Sequence, residues 1–159
     1  MIAVENEIAV AAPPAKVWRI LTDFPGYKTW HPFIRLTGEA KAGAEIDYEY
    51  TSDLRTGRKR HSPGKITRLE RNVAFEWAMG IRHFFEQVER YELAPHPLGT
   101  RLHHRVEFRG MVGFLFRGRP SRASHARMCK ADDALRTLLA GKKPSPAKPP
   151  ARNGRKQRR

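Results

Sequence analysis

Two residues carry chemical potential if the chain brings them onto one surface, Glu89 and His104. A carboxylate beside an imidazole can work as a general acid/base unit, because burial raises a carboxyl pKa and a neighbouring carboxylate raises that of a histidine. Such a pair suits proton abstraction beside a carbonyl, as in an aldol-type cyclisation. The same pair can instead be a salt-bridged anchor that only orients a ligand, since structural ion pairs imitate active sites. Other chemistry finds less support. Of the seven histidines, none stands in His-x-x-x-His spacing, and the adjacent His103 and His104 must face opposite sides of a strand. No metal site is expected. His31, before Pro32, reads as a cavity-rim or capping residue. The single cysteine, Cys129, excludes an internal disulfide; it falls beside Met128 among helical positions with no matched base, and reads as a packed thiol. No cofactor is expected.

The elements that must position Glu89 and His104 are two long runs, His83–Leu93 and Thr100–Arg109, joined by Ala94-Pro95-His96-Pro97-Leu98-Gly99. Pro, His and Gly at the joint predict a turn and therefore a long antiparallel hairpin. Strand side chains alternate between faces. Leu102, His104, Val106 and Phe108 then share one face, and Arg101, His103, Arg105, Glu107 and Arg109 the other, the pattern of a sheet with one dry and one wet side. In the first run Phe85, Tyr91 and Leu93 line up with Gln87 and Glu89 between them. Polar groups aimed into an apolar interior need partners, and a covered cavity that holds a ligand supplies them. The aromatic residues that can line it are Trp30, Tyr48, Tyr50, Trp77, Phe85, Tyr91 and Phe108, although each taken singly fits ordinary core.

The rest of the chain supplies the cover. Glu7–Ala11 alternates as a first strand. Pro13-Pro14 predicts a helix start, with Val17, Ile20, Leu21 and Phe24 at helical spacing, stopped by Pro25-Gly26. Tyr27–Trp30 makes one further turn before His31-Pro32. Strands follow at Phe33–Gly38, around Ile46, Tyr48 and Tyr50, at Lys59–Glu70 and at Val73–Ala78; Pro63-Gly64 predicts a bulge or an edge position in the third of these. Met111–Phe116 reads as a loop or a helical lead-in. Ser121 is a plausible cap for a last helix carrying Met128, Ala131, Leu135, Leu138 and Leu139, ended by Gly141. An amphipathic last helix is the natural cover for a sheet with one apolar face.

Charge divides the chain. Of its net +15, eight charges lie on Lys142–Arg159, which has no acidic residue, and seven on the remainder. The tail has no apolar face and reads as disordered, leaving one domain over 1–141. From Arg109 through Lys130 there are six Lys or Arg and no Asp or Glu. Arg117, Arg119, Arg122, Lys142, Lys143, Lys148, Arg152, Arg155, Lys156, Arg158 and Arg159 are the candidate polyanion-binding residues, with RNA, the ribosome or an acidic protein as partner classes. No run of apolar residues is long enough to span a membrane and the first residues lack the pattern of a secretory signal, so a cytoplasmic location is the simplest expectation.

Ala11-Ala12-Pro13-Pro14-Ala15-Lys16-Val17-Trp18-Arg19-Ile20-Leu21-Thr22-Asp23-Phe24, followed by Tyr27, Trp30 and Pro32-Phe33-Ile34, resembles the opening of the START-related helix-grip superfamily, which includes polyketide cyclases and dehydrases, plant allergens and lipid-transfer domains. Lys65-Ile66 with Phe75-Glu76-Trp77 is similar to its central hairpin, and Gly99-Thr100-Arg101-Leu102 with Val106-Glu107-Phe108-Arg109-Gly110 to its last strand. Residues 4–140 are covered. The resemblance implies an α+β fold, a curved seven-stranded antiparallel sheet wrapped around a long C-terminal helix, with an internal cavity for a small hydrophobic ligand: lipid, quinone or polyketide-like. Its motifs specify structure and no chemistry, so carrier and cyclase or dehydratase readings both remain open. Arg117-Gly118-Arg119-Pro120 and the basic tail depart from the family pattern.

Overall fold

The computed structural model describes residues 2–53, 55–81, 83–111 and 119–142. Alternating apolar runs produce seven strands: β1 (Ile2–Val10), β2 (Ile34–Gly38), β3 (Glu45–Asp53), β4 (Arg58–Glu70), β5 (Ala74–Ile81), β6 (Phe85–His96) and β7 (Gly99–Arg109). All pairings are antiparallel, in the order β1-β7-β6-β5-β4-β3-β2. The first crossover holds α1 (Pro14–Thr22), a 3-10 turn (Phe24–Gly26) and α2 (Tyr27–Trp30); α3 (Arg119–Leu139) closes the domain. This is the helix-grip architecture that the resemblance implies. Met128, Ala131, Leu135 and Leu139 form the buried stripe of α3, and Leu135 is fully enclosed. They meet the inner faces of the strands, where Leu102, Ile66, Phe75 and Trp77 are also closed to solvent.

The hairpin expected from the alternation is present, with a tighter turn than the sequence suggested. β6 runs on through Ala94-Pro95-His96, and His96 pairs with Gly99, leaving only Pro97-Leu98 in the loop. Gly99 has φ 132°, and a Cβ there would come within 2.7 Å of Ala12 and Val10 backbone atoms. The buried Thr100 hydroxyl donates to the Ala12 carbonyl at 2.6 Å. The hairpin end therefore fixes where the chain leaves β1 and enters α1.

One local expectation narrows to its second alternative, an edge position, and two change. Pro63-Gly64 carries no bulge: the register shift in the β4–β5 ladder lies between Ile66 and Arg68. That ladder begins only at Gly64, so Pro63 pairs with β3 alone and its missing N–H faces a locally open edge. Ser121 is not the cap of the last helix, which already begins at Arg119, with Pro120 tolerated in the first turn. β1 starts at Ile2 rather than Glu7, adding Val4 and Asn6 to the sheet. Gly141 does end α3: at φ 74° it lets Gly141 N donate to Leu138 O and Lys142 N to Thr137 O, which satisfies the last carbonyls. The Val112–Phe116 part of the expected lead-in and all of the basic tail beyond Lys142 lie outside the described residues.

Because Leu135 fills the space between α3 and the sheet, Leu135→Ala should lower unfolding stability by about 2–5 kcal/mol. Urea unfolding followed by tryptophan fluorescence measures this; a loss below about 1 kcal/mol would contradict the packing described.

Candidate functional site

The register places His104 opposite Asn6 on one side and Tyr91 on the other, with Glu89 one inward position further along β6. Alternation sends all four to the inner face. His104 Nε2 lies 3.2 Å from Glu89 Oε1, and His104 Nδ1 lies 2.8 Å from Asp132 Oδ1. Asp132 comes from α3, so the imidazole joins sheet to helix. The outer oxygens have donors as well: Asn6 Nδ2 donates to Asp132 Oδ2 at 2.8 Å and Gln87 Nε2 to Glu89 Oε2 at 3.3 Å. The Tyr91 ring stacks on the imidazole at 4.1 Å between centroids. Side chains of His104 and Asp132 are each 2% exposed, and that of Glu89 7%.

Two carboxylates on one ring decide its charge. Burial by itself would lower the His104 pKa; the charge and hydrogen bond of Asp132, joined by Glu89, outweigh it and hold it at about 9. His104 is then an imidazolium donating from both nitrogens. His31 shows the reverse. Burial first, then the charges of His104 and Arg35, push its pKa well below 6.5. Its Nδ1 accepts from the backbone N–H of Phe33 at 3.2 Å and of Ile34 at 3.1 Å, so it does serve as a cap.

A cavity of about 190 Å3 opens between the sheet and α3. Its floor consists of buried residues, among them His31, Tyr48, Glu89 and His104, and its apolar wall includes Val4, Phe33, Ile34, Val106, Met128 and Ala131. Half-buried Tyr50, Thr51, Phe108, Ser124 and Arg127 form the rim. Arg127 donates to Thr51 O at 2.9 Å and sits 5.8 Å from the Phe33 ring centroid. Of the aromatic candidates, Tyr48, Tyr50 and Phe108 line this space. Trp30, Trp77 and Tyr91 stand behind it in the core, and Phe85 stacks on Phe108 at 6.4 Å. Burial, with the Glu89 charge second, raises both Tyr48 and Tyr91 well above 10, so both hydroxyls stay protonated.

The sequence reasoning missed Asp132, Asn6 and the lining role of Arg127. Asp132 was detectable in principle: four residues after Met128 and three before Leu135, it is an acid on an apolar helical stripe. Asn6 breaks the inward series Val4, Ile8, Val10 in the same way. Cys129 is half-buried 3.8 Å from the His125 ring, and burial, then Asp132 and Asp133, raise its pKa, as befits an unreactive thiol. His103, on the outer face, pairs with Glu5 and Glu92 instead. Of the polyanion candidates, Arg122 and Lys142 are exposed on described backbone, Arg119 starts α3, and Arg117, Lys143, Lys148, Arg152, Arg155, Lys156, Arg158 and Arg159 lie outside the described residues. No described helix is long and apolar enough to cross a membrane.

A histidine whose folded pKa exceeds its unfolded value contributes stability that is complete below the unfolded pKa and lost as pH rises through the folded one. For His104, from about 6.5 unfolded to about 9 folded, stability should therefore fall by on the order of 3 kcal/mol as pH rises from about 6.5 to about 10. Urea unfolding across that range, with NMR titration of the His104 ring, tests it; a ring that titrates near 6.5 would remove the ion triad.

No curated protein sequence matches the chain. Solved structures with the same fold include a protein from Nitrosomonas europaea (TM-score 0.70, 18% identity, 87% of this chain and 94% of that one). A second comes from Rhodobacter sphaeroides (0.69, 22%, 87% and 92%), and a third from Chromobacterium violaceum (0.66, 15%, 86% and 96%). At these identities the likeness concerns fold alone. The sequence itself matches the model of one family across residues 1–140. The chain therefore belongs to the polyketide cyclase/dehydrase and lipid transport family.

Proposed function

We propose that the chain binds one small, largely apolar molecule in the cavity between the sheet and α3. The observation that carries this reading is the cavity itself: about 190 Å3, walled by apolar side chains, with a few fixed polar groups at its floor. An engineered apolar cavity of about 150 Å3 takes benzene, while sites for drug-sized ligands run from about 300 to 1,000 Å3. Ring compounds of quinone or polyketide type fit this volume better than a two-chained lipid.

A specific observation also bears on the acid/base reading, the contact of Glu89 with His104. Chemistry of that kind works best when the base has a pKa near the working pH. An imidazole with a pKa of about 9 is neutral in only about one molecule in a hundred at pH 7. Glu89 already accepts from that cation and from Gln87. With its donors and acceptors already engaged, the pair is better suited to fixing the cavity floor than to moving protons, and binding is the better supported function.

Native mass spectrometry, followed by extraction and identification of the bound compound, is the direct test, with one equivalent expected. Ala131 is 2% exposed and lines the cavity. Ala131→Leu should occupy much of the space and reduce retention at least about tenfold, a loss of roughly 1.4 kcal/mol. Undiminished retention would place the ligand elsewhere. Glu89→Gln should weaken retention without new product appearing. Conversion of the compound by the wild type, lost in Glu89→Gln, would replace the carrier reading with the enzymatic one.

A further inference from the structure

We propose that His31 is the recognition residue of this cavity, its Nε2–H donating a hydrogen bond to a neutral carbonyl oxygen of the bound molecule. The inference rests on the cavity-binding reading and adds the ligand's chemical class and the atom that selects it.

The argument begins in the backbone. α2 ends at Trp30, and His31 turns extended at φ −79° and ψ 121°, as a residue before proline must. The turn brings the N–H groups of Phe33 and Ile34 onto His31 Nδ1. Two donors on one nitrogen require a lone pair there, so in the neutral ring the proton sits on Nε2. Placing a second proton on Nδ1 would break both contacts, which agrees with the strongly lowered pKa. His31 is thus a neutral imidazole whose tautomer is set by the main chain.

Nε2–H is buried and has no hydrogen-bond partner among the described residues. The residue is 4% exposed and lines the cavity. The ring cannot easily swing to find an acceptor elsewhere. It stacks on Tyr27 at 5.7 Å and 9°, meets Trp30 edge-on at 4.9 Å, and touches Phe33 at 6.4 Å. A rigid buried donor without a partner favours any ligand that brings an acceptor to it. The acceptor should be uncharged. The ring itself brings no charge, and the nearby cations are committed: His104 to Glu89 and Asp132, Arg35 to the carbonyls of His31 and Ile34, and Arg127 to that of Thr51. A ligand carboxylate or phosphate would give up its water for a donor without charge. A ketone, enone or quinone oxygen loses far less on leaving water.

The test uses two probes of one skeleton, 1-indanone and indane, titrated into wild-type protein and into His31→Asn by NMR. Asparagine keeps an acceptor oxygen where Nδ1 stood and has no atom at Nε2, so the cap is retained while the donor is lost. Taking the ratio of the two dissociation constants within each protein cancels the probes' different hydrophobicity. The preference for indanone over indane should drop at least about tenfold in His31→Asn. If that variant fails to fold, the 15N resonance of His31 Nε2 in the wild type decides: it should shift with indanone and stay in place with indane. An equal ratio in both proteins, or an Nε2 that responds alike to both probes, overturns the role of His31 and leaves the cavity reading intact. Binding of neither probe overturns both.

Discussion

The helix is tied to the sheet by a buried charge. His104 on β7 reaches Asp132 on α3 and Glu89 on β6, and all three are withdrawn from water. Removing ions from water is expensive, and a buried pair survives only when geometry and extra hydrogen bonds compensate. Here the compensation is visible: one cation between two acids, with Asn6 and Gln87 donating to the outer oxygens. Such an assembly specifies more than it stabilises. Apolar packing of Met128, Ala131, Leu135 and Leu139 would tolerate a small slide of α3 along the sheet. The bond from Asp132 to His104 would not, because any slide leaves a buried charge unpaired. The helix is thereby held at one register and one height, and the space beside the triad stays open rather than collapsing.

Two histidines at one cavity floor hold opposite charge states for reasons visible in their partners. His104 faces acceptors and becomes a cation; His31 faces backbone donors and stays neutral. Since His104 lowers the pKa of His31, the first supports the second. The floor therefore presents a neutral donor beside a carboxylate. A ligand anion would find no free counter-charge there, which is why the acceptor proposed for His31 is uncharged.

Much of this could be read from residue order, and the part that could not has a physical cause. Alternation in Leu102, His104, Val106 and Phe108 set the inward face of β7, and Gln87, Glu89 and Tyr91 set that of β6, so period two puts Glu89 and His104 on one face, while their contact depends on the register that pairs His104 with Tyr91. The third partner lies twenty-eight residues on, in a helix whose apolar positions were recognised while the acid among them was not. Amphipathic reasoning selects the hydrophobic stripe and passes over its polar exception, which is where sites tend to sit. The aromatic set shows the opposite failing. Trp30, Trp77 and Tyr91 do face inward, yet pattern alone gives direction and not depth, and these rings pack behind the cavity floor. The tautomer of His31 depends on two backbone N–H groups brought round by the turn at Pro32, which no composition argument reaches.

Charge also has a spatial pattern that a count does not give. The outer face of the sheet sets many of its cations against acids. Arg68 contacts Glu70 and Glu92, Arg90 contacts Glu76, and Arg105 and Arg109 both close on Glu107. Exposed pairs of this kind add little stability, and the net charge of +15 already subtracts their acids. Even Arg127, the cation at the cavity rim, is engaged by the Thr51 carbonyl and the Phe33 ring. A ligand entering past Arg127 meets a guanidinium with commitments of its own, then a wall without charge, then the floor. Discrimination consequently falls to the few atoms at the inner end, where water is scarce and each hydrogen bond made or missed has its largest effect.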